Sequence, residues 1–233
     1  PFRPSLHGFA FVNSFRGSPL PPSLRSLERA LGKSLPAQFG LCGGMCAAAA
    51  DYFLAGRRVP SVGEPPKSGE WLYEYIHQRQ TSSFDGLVVP MRVMQGMAAP
   101  YSGPDGLEAL NARELQRITT RLAAGELVQL CLILGKADGK SRPWDNHQVL
   151  AYRQVEARPS NGPPSVVLSI YDPNFPKDDC ATLTLSGTAD GYACVRTAHR
   201  DSKAGPVLTQ VRGVFVAPYV RAAPPEPPVT AGR

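Results

Sequence analysis

The chain has 233 residues, of which 42% are hydrophobic, and a formal net charge of +6. This length and composition predict one folded domain with its own core, and they exclude global disorder. No apolar run reaches the roughly 18–20 residues that span a bilayer, and the basic residues do not gather with aromatic residues into a patch. We therefore expect no membrane span and no nucleic-acid partner.

The composition also bears on the source and compartment of the chain. Its abundance of Ala, Arg, Pro and Gly over Lys is typical of bacteria with GC-rich genomes. No signal peptide is recognisable in this chain. The bacterial cytoplasm and export are both left open.

The N-terminal part predicts short elements broken by prolines. Alternation of Phe9 and Phe11 predicts a short strand, and a short helix is expected near residues 24–31. A longer helix is predicted over residues 42–55, followed by a loop at residues 56–69 that is rich in Gly and Pro.

Two further helices are predicted before residue 126. Residues 70–80 have helical spacing of apolar side chains, whereas residues 81–104 are predicted to be irregular. The clearest helix begins at Asn111, an expected N-cap with Glu114 three residues later, and ends at Gly125.

The C-terminal part changes to a strand-like period. Candidate strands lie at residues 127–134, 147–155, 165–172, 181–185, 191–197 and 209–217. Helices followed by antiparallel strands predict an α+β domain over residues 1–221, with a helical part at 1–125 and a sheet part at 126–221. The Pro-rich tail at residues 222–233 is predicted to be disordered.

Cys42 stands at the start of the first long predicted helix, in a segment that begins GLCGGMC. Unpaired N–H groups and the dipole at a helix N-terminus favour the thiolate, which is the nucleophilic form of cysteine. Gly43 and Gly44 predict an accessible backbone that a substrate carbonyl could approach closely.

The other cysteines predict no metal site. No Cys-x-x-Cys or His pair completes four ligands, so zinc is not expected. Cys131 lies in an apolar run and is predicted to be a buried structural thiol. Cys180 and Cys194 flank a predicted hairpin, which leaves a disulfide between them open.

His147 and Asp172 fall on two strand candidates that flank a turn-rich stretch at residues 158–164. A hairpin centred there places His147 opposite Asp172 and Val149 opposite Ile170, and directly opposed side chains point to the same face. A one-residue slip would separate the two side chains. A cysteine, an imidazole base and an acid that orients it are the parts of a covalent acyl-transfer site.

Three short motifs occur in order along the chain, namely Cys42-Gly43 followed by Tyr52-Phe53, then Asn146-His147-Gln148-Val149-Leu150, then Ile170-Tyr171-Asp172-Pro173. Together they resemble the papain-like cysteine peptidases and, more closely, the bacteriocin-processing peptidase domains. The resemblance implies a papain-like fold, in which a helical lobe packs its nucleophile helix on a C-terminal antiparallel sheet.

The resemblance also implies a role for each matching residue. Cys42 would be the nucleophile, His147 the general base and then acid, and Asp172 the residue that orients His147. The family places a glutamine upstream of the nucleophile in its oxyanion hole, and Gln38 is the nearby candidate. Cys46 is a rival nucleophile, because papain-type enzymes can carry two cysteines in this region.

We therefore expect a cysteine-dependent hydrolase, either a peptidase or an amidase, that acts on a peptide or protein substrate through a thioester. No metal or other cofactor is expected. The alternatives are a papain-like transamidase or acyltransferase, an effector that modifies a host protein, and a catalytically inactive binding module.

Overall fold

The computed structural model describes residues 1–16, 38–138, 140–157, 163–200 and 205–228. Within these ranges the α-helices are Pro4–His7 (α1), Cys42–Leu54 (α2), Trp71–Ser82 (α3), Val88–Ala98 (α4) and Leu107–Ala123 (α5), and a 3₁₀ helix covers Pro143–Asp145. The strands are Phe15–Arg16 (β1), Gln38–Phe39 (β2), Val128–Ile133 (β3), His147–Ala157 (β4), Ser165–Tyr171 (β5), Thr182–Gly187 (β6), Tyr192–Ala198 (β7), Val207–Val211 (β8) and Gly213–Val216 (β9).

The strands after α5 form one curled antiparallel sheet in the order β8-β7-β6-β5-β4-β3-β9, and β1 pairs separately with β2. The described α-helices all precede this sheet in sequence, so the predicted α+β class is confirmed. Across the described ranges, every helix is too short or too polar to cross a membrane.

Both faces of the sheet are covered at β3, which explains why every residue of this strand is buried. Leu130 and Leu132 belong to a core cluster with Ile118 of α5. Cys131 alternates with them and belongs to a different cluster, with Val93 of α4. Strands buried on both sides read as continuous apolar runs, and this is the pattern of β3.

Helix α2 lies between α3 and β4 and brings its first residue to the end of the sheet. Its four consecutive alanines, Ala47 to Ala50, are all buried. Such small side chains let a helix approach its neighbours closely. The side chain of Leu150 in β4 belongs to the same core cluster as three of these alanines.

Helix α4 occupies part of residues 81–104, so the prediction of irregular structure there is wrong. Val89, Val93 and Met97 are spaced four residues apart and are buried on one side of the helix. Pro90 obscured this pattern, but it stands in the first turn, where a helix tolerates the missing N–H group.

Helix α5 begins at Leu107, so Asn111 is not its N-cap. Asn111 is fully buried in the second turn. Its Nδ2 donates to the carbonyl of Tyr192 at 2.8 Å, and its Oδ1 accepts the N–H of Val214 at 2.8 Å. The side chain therefore links the helix to two strands. In the sequence, a residue with this tertiary role looks the same as a helix cap.

The single strand predicted over residues 209–217 is two strands that lie at opposite edges of the sheet. β8 pairs with β7, whereas β9 pairs with β3. A bend at Arg212 separates them, and its N–H donates to the carbonyl of Ile133 at 2.9 Å. This bend makes the sheet curl, because one continuous segment joins its two edges.

The predicted register of β4 and β5 is wrong by two residues. Ala151 pairs with Ile170, and Leu150 pairs with Tyr171. Beyond a bulge between Ala151 and Arg153, the ladder is displaced by three residues. The even shift at the end that carries the site keeps the side chains there on their predicted face, since the side-chain period of a strand is two.

The aromatic N-terminal segment does not form the strand predicted at Phe9 and Phe11. Both rings are buried, with centroids 5.2 Å apart, and Phe11 also makes a T-shaped contact with Phe15. They pack in the cluster that covers α2. The helix predicted near residues 24–31 lies outside the described ranges.

The tail is packed over its first part, so the prediction of disorder is wrong for residues 222–228. The N–H of Ala222 donates to the buried carboxylate of Asp51 at 2.8 Å. The guanidinium of Arg57 donates to the carbonyl of Pro224 at 2.9 Å. These contacts fix the segment against the back of α2, and the rest of the tail lies outside the described ranges.

Candidate active site

Cys42 is the first residue of α2, as the sequence predicts. The N–H of Leu41, just before the helix, donates to Oδ1 of Asn13 at 2.6 Å. Nδ2 of Asn13 donates to Asn174, and its N–H donates to the carbonyl of Pro173. Asn13 therefore joins the loop before Cys42 to the loop after β5.

Gly43 and Gly44 are buried and not open to a substrate, which contradicts the prediction from sequence. A Cβ atom on Gly43 would overlap the side chains of Ser83 and Gln148, and one on Gly44 would overlap the backbone carbonyl of Ile76. The glycines are needed because α3 and the sheet pack directly on the first turn of the helix.

His147 and Asp172 are in contact, although they are not directly opposed in the ladder. β4 begins at His147, and β5 ends one residue before Asp172. The ring Nε2 of His147 lies 2.7 Å from Oδ1 of Asp172. They are diagonal neighbours on one face, within reach of long side chains. This bond leaves the other ring nitrogen, Nδ1, for a different partner.

Asp172 is buried and has two further donors. The N–H of Asn174 donates to Oδ1 at 2.9 Å, and Nη1 of Arg196 donates to Oδ2 at 3.0 Å. Burial alone would raise the pKa of Asp172, but His147, Arg196 and the Asn174 N–H outweigh burial and lower it. Asp172 is thus held as a carboxylate, which fixes and charges the imidazole.

The thiol of Cys42 lies at the third corner of this group. The N–H of Gln148 donates to its Sγ at 3.3 Å. Burial opposes ionisation, but the hydrogen bond and charge of His147 and the N–H groups of Gln148 and Gly43 lower the pKa of Cys42 below its ordinary value.

His147 is shifted in the opposite direction. Burial disfavours the imidazolium, but the charge and hydrogen bond of Asp172 and the contact with Cys42 raise the pKa of His147 above its ordinary value. A thiol with a lowered pKa beside an imidazole with a raised pKa favours proton transfer from sulfur to nitrogen. The three side chains can form the thiolate–imidazolium pair that nucleophilic attack requires.

The chain matches no family model, no curated protein and no solved structure. Within the described residues, no cluster of three or more His, Cys, Asp or Glu side chains is placed to hold a metal ion. The chemistry of the site therefore rests on its geometry.

The remaining cysteines differ from Cys42 in their surroundings. Cys46 is fully buried one turn further into α2, and burial raises its pKa well above the ordinary value. Cys131 and Cys194 are also buried, and burial raises the pKa of each. Cys180 is exposed, and the disulfide with Cys194 that the sequence left open is not formed.

Gln38 and Gln80 occupy different places around Cys42. Gln38 is exposed in β2 and lines a surface cavity with Arg16 and Glu64, apart from the cavity next to the thiol. Gln80 of α3 does line the cavity that Cys42 and His147 share. Its Oε1 accepts the N–H of Gly44 at 2.8 Å, so this side chain caps the first turn of α2 from another helix.

A second pair of glutamines supports the same turn from the sheet. Nε2 of Gln129 donates to the carbonyl of Gly43 at 3.1 Å and to Oε1 of Gln148 at 2.6 Å. Nε2 of Gln148 donates to the hydroxyl of Ser83 at 3.3 Å. These buried amides fix the start of α2 relative to β3 and β4.

Sequence reasoning missed Asn13, Gln80 and Arg196. Each acts through a contact with a residue far away in sequence, and no local pattern marks Gln80 or Arg196. Asn13 carries a weak signal, because it is a polar residue within a run of buried aromatic residues.

Proposed function

We propose that this chain is a cysteine-dependent hydrolase of papain-like architecture, a peptidase or amidase whose nucleophile is Cys42. The carrying observation is that the thiol of Cys42, at the start of a helix, is hydrogen-bonded to the imidazole of His147. A buried carboxylate holds that imidazole at 2.7 Å from its other side. The order of helix, sheet histidine and sheet acid along the chain supports the same proposal.

The first chemical step is acylation of the thiol. His147 holds the proton of Cys42, and the thiolate forms a bond from sulfur to the substrate carbonyl carbon. The carbonyl electrons move to oxygen and then return, and the bond from carbon to the leaving amine breaks. His147 gives its proton to that amine, which leaves as a neutral molecule.

The oxyanion of this step needs donors next to the sulfur. As the first residue of the helix, Cys42 carries one of the N–H groups that have no acceptor within the helix. Gln80 supplies the second donor in this proposal. Its Oε1 is fixed by the N–H of Gly44, so the amide group has one orientation, and the residue lines the cavity at Cys42.

The second step frees the enzyme. His147 takes a proton from water, and the resulting hydroxide oxygen bonds to the thioester carbon as the bond to sulfur breaks. An amine in place of water would make the same site a transamidase or acyltransferase. The geometry of the site can serve either water or an amine as the second nucleophile. We propose hydrolysis, because water needs no binding site of its own.

The test is selective alkylation at pH 6. Most ordinary thiols are protonated at this pH, because their pKa is near 8.5, so a thiolate paired with an imidazolium is labelled first. We expect iodoacetamide to label one cysteine rapidly in the wild type and in a Cys180→Ser control. Labelling should drop to background in Cys42→Ala, as read by peptide mass spectrometry.

Two results would contradict the assignment. Rapid labelling that persists in Cys42→Ala would place the reactive thiol elsewhere, with Cys46 as the first alternative. Slow labelling of the wild type, together with no Cys42-dependent release of nitrophenolate from p-nitrophenyl acetate, would indicate an inactive binding module.

A further inference from the structure

The cavity beside Cys42 has mostly apolar walls. Its volume is about 250 Å³, and the thiol and the imidazole of His147 form part of its lining. Most of the other lining residues are apolar, namely Phe84, Val89, Pro90, Val93, Cys131, Pro143 and Trp144. An apolar cavity of about 150 Å³ holds a benzene molecule, so this one has room for a phenyl or isobutyl group.

Most polar atoms at its edge already have partners. Oδ1 of Asn146 accepts the N–H groups of Leu134 and Gly135, and its Nδ2 donates to the carbonyl of Pro143. The amide of Gln148 is bonded to neighbouring side chains. The wall therefore offers apolar surface to a ligand, with donors only near the reacting atoms.

The apolar surface continues out of the cavity over α4. Successive residues of a helix are rotated by about 100°, which places Leu87, Met91 and Met94 in one row beside Pro90 at the cavity wall. All three are exposed, with 72%, 57% and 50% of their surface open to solvent. Trp144 is also more than half exposed and stands at the cavity with its ring against Arg142.

We propose that this cavity selects substrates with a bulky apolar side chain, leucine- or phenylalanine-like, on the acyl side of the bond that is broken. The inference rests on the proposed function, since it uses Cys42 as the nucleophile. In a peptide substrate, the side chain is only a few bonds from the carbonyl carbon that Cys42 attacks, so it can reach a cavity next to the thiol. The exposed row on α4 can cover the next apolar residue of the same peptide.

The probes are p-nitrophenyl esters of N-acetylglycine, N-acetylleucine and N-acetylphenylalanine, with p-nitrophenyl hexanoate as a straight-chain comparison. In each, Sγ of Cys42 bonds to the carbonyl carbon, p-nitrophenolate leaves, and the thiol proton remains on His147. Rates are divided by those of the same esters with free N-acetylcysteine, which removes differences in intrinsic reactivity.

We expect the leucine or phenylalanine ester to acylate Cys42 about 10- to 150-fold faster than the glycine ester, the range expected for full burial of such a side chain. Trp144→Ala should lower this ratio by removing one wall, and Val93→Phe should lower it by filling the cavity. Leu208→Ala, which removes an exposed apolar side chain at the far edge of the sheet, should leave the ratio unchanged.

Three outcomes overturn the inference. The first is equal normalised rates for the glycine and phenylalanine esters. The second is a ratio of these rates that stays the same in both cavity variants. The third is a normalised rate for the hexanoate ester above that for the phenylalanine ester, which would assign the cavity to an acyl chain. Failure of the proposed function looks different, since no ester would then react faster with the wild type than with Cys42→Ala. Iodoacetamide labelling of Cys42 in each variant reports whether the site is still folded.

Discussion

Replacing Gln80 with glutamate separates the two roles that this side chain has in the proposed mechanism. A glutamate retains an oxygen for the N–H of Gly44, a hydrogen bond of 2.8 Å, so the cap of α2 is kept. It replaces the amide donor with an oxygen that repels a developing oxyanion. Loss of one oxyanion donor costs about 10²- to 10³-fold in rate, or about 2.7–4 kcal/mol.

The assay compares two reactions of the same thiol. Acylation by p-nitrophenyl acetate passes through an oxyanion, whereas alkylation by iodoacetamide does not. We expect Gln80→Glu to slow acylation by about 10²- to 10³-fold while the limiting alkylation rate at high pH changes little. The limiting rate is the right reference, because a carboxylate near Cys42 also raises the pKa of the thiol.

Gln80→Met is the matched variant, because it removes both the cap and the donor. It should slow acylation as much as Gln80→Glu does and also lower the free energy of unfolding by about 1–3 kcal/mol, since a buried N–H of Gly44 loses its acceptor. Acylation by Gln80→Glu at the wild-type rate would refute the reasoning. An equal loss in both reactions would reduce Gln80 to a positioning residue.

Three further predictions concern helix α2 and the residues that contact it. Gly44→Ala should destabilise the fold by about 3 kcal/mol or more in urea unfolding, because its Cβ would overlap the carbonyl of Ile76; a loss under 1 kcal/mol would contradict that packing. Asp51→Asn should cost about 3–5 kcal/mol in the same assay, because Arg79, whose Nε lies 2.7 Å from that carboxylate, becomes a buried cation without its anion. His147→Ala should move the midpoint of the pH profile of iodoacetamide labelling upward toward 8.5, because the imidazolium that lowers the pKa of the thiol is gone. An unchanged midpoint would show that the imidazole does not set that pKa.

The sequence was most informative where the pattern is local. The strand period after residue 127 and the small-residue helix at Cys42 both follow from neighbouring side chains that alternate or repeat. Asn111 shows the limit of this reasoning, because its short polar side chain bonds to the backbone of two strands in the fold and only resembles a cap in sequence.

Long-range geometry could not be predicted in the same way. Between the turn and the bulge, β4 and β5 are displaced by three residues from the predicted register, and the bulge after Ala151 reduces this displacement to two. An even displacement preserves the face, so His147 and Asp172 still meet, but the bulge itself depends on packing between strands that the sequence does not show. The bend at Arg212 is invisible in an apolar run that looks like one strand. The sequence pointed to Gln38, four residues before the thiol, as the oxyanion donor, whereas the donor that we propose, Gln80, comes from a different helix.

The parts of the site come from widely separated regions of the chain, and this has a consequence for biosynthesis. A ribosome releases Cys42 long before it has made Asp172 and Arg196, and the β8–β9 segment that joins the two edges of the sheet is made later still. Until then the thiol has no charged imidazole beside it, so a growing chain carries only an ordinary cysteine. In the proposed mechanism, the thiol therefore becomes reactive only when the sheet has closed.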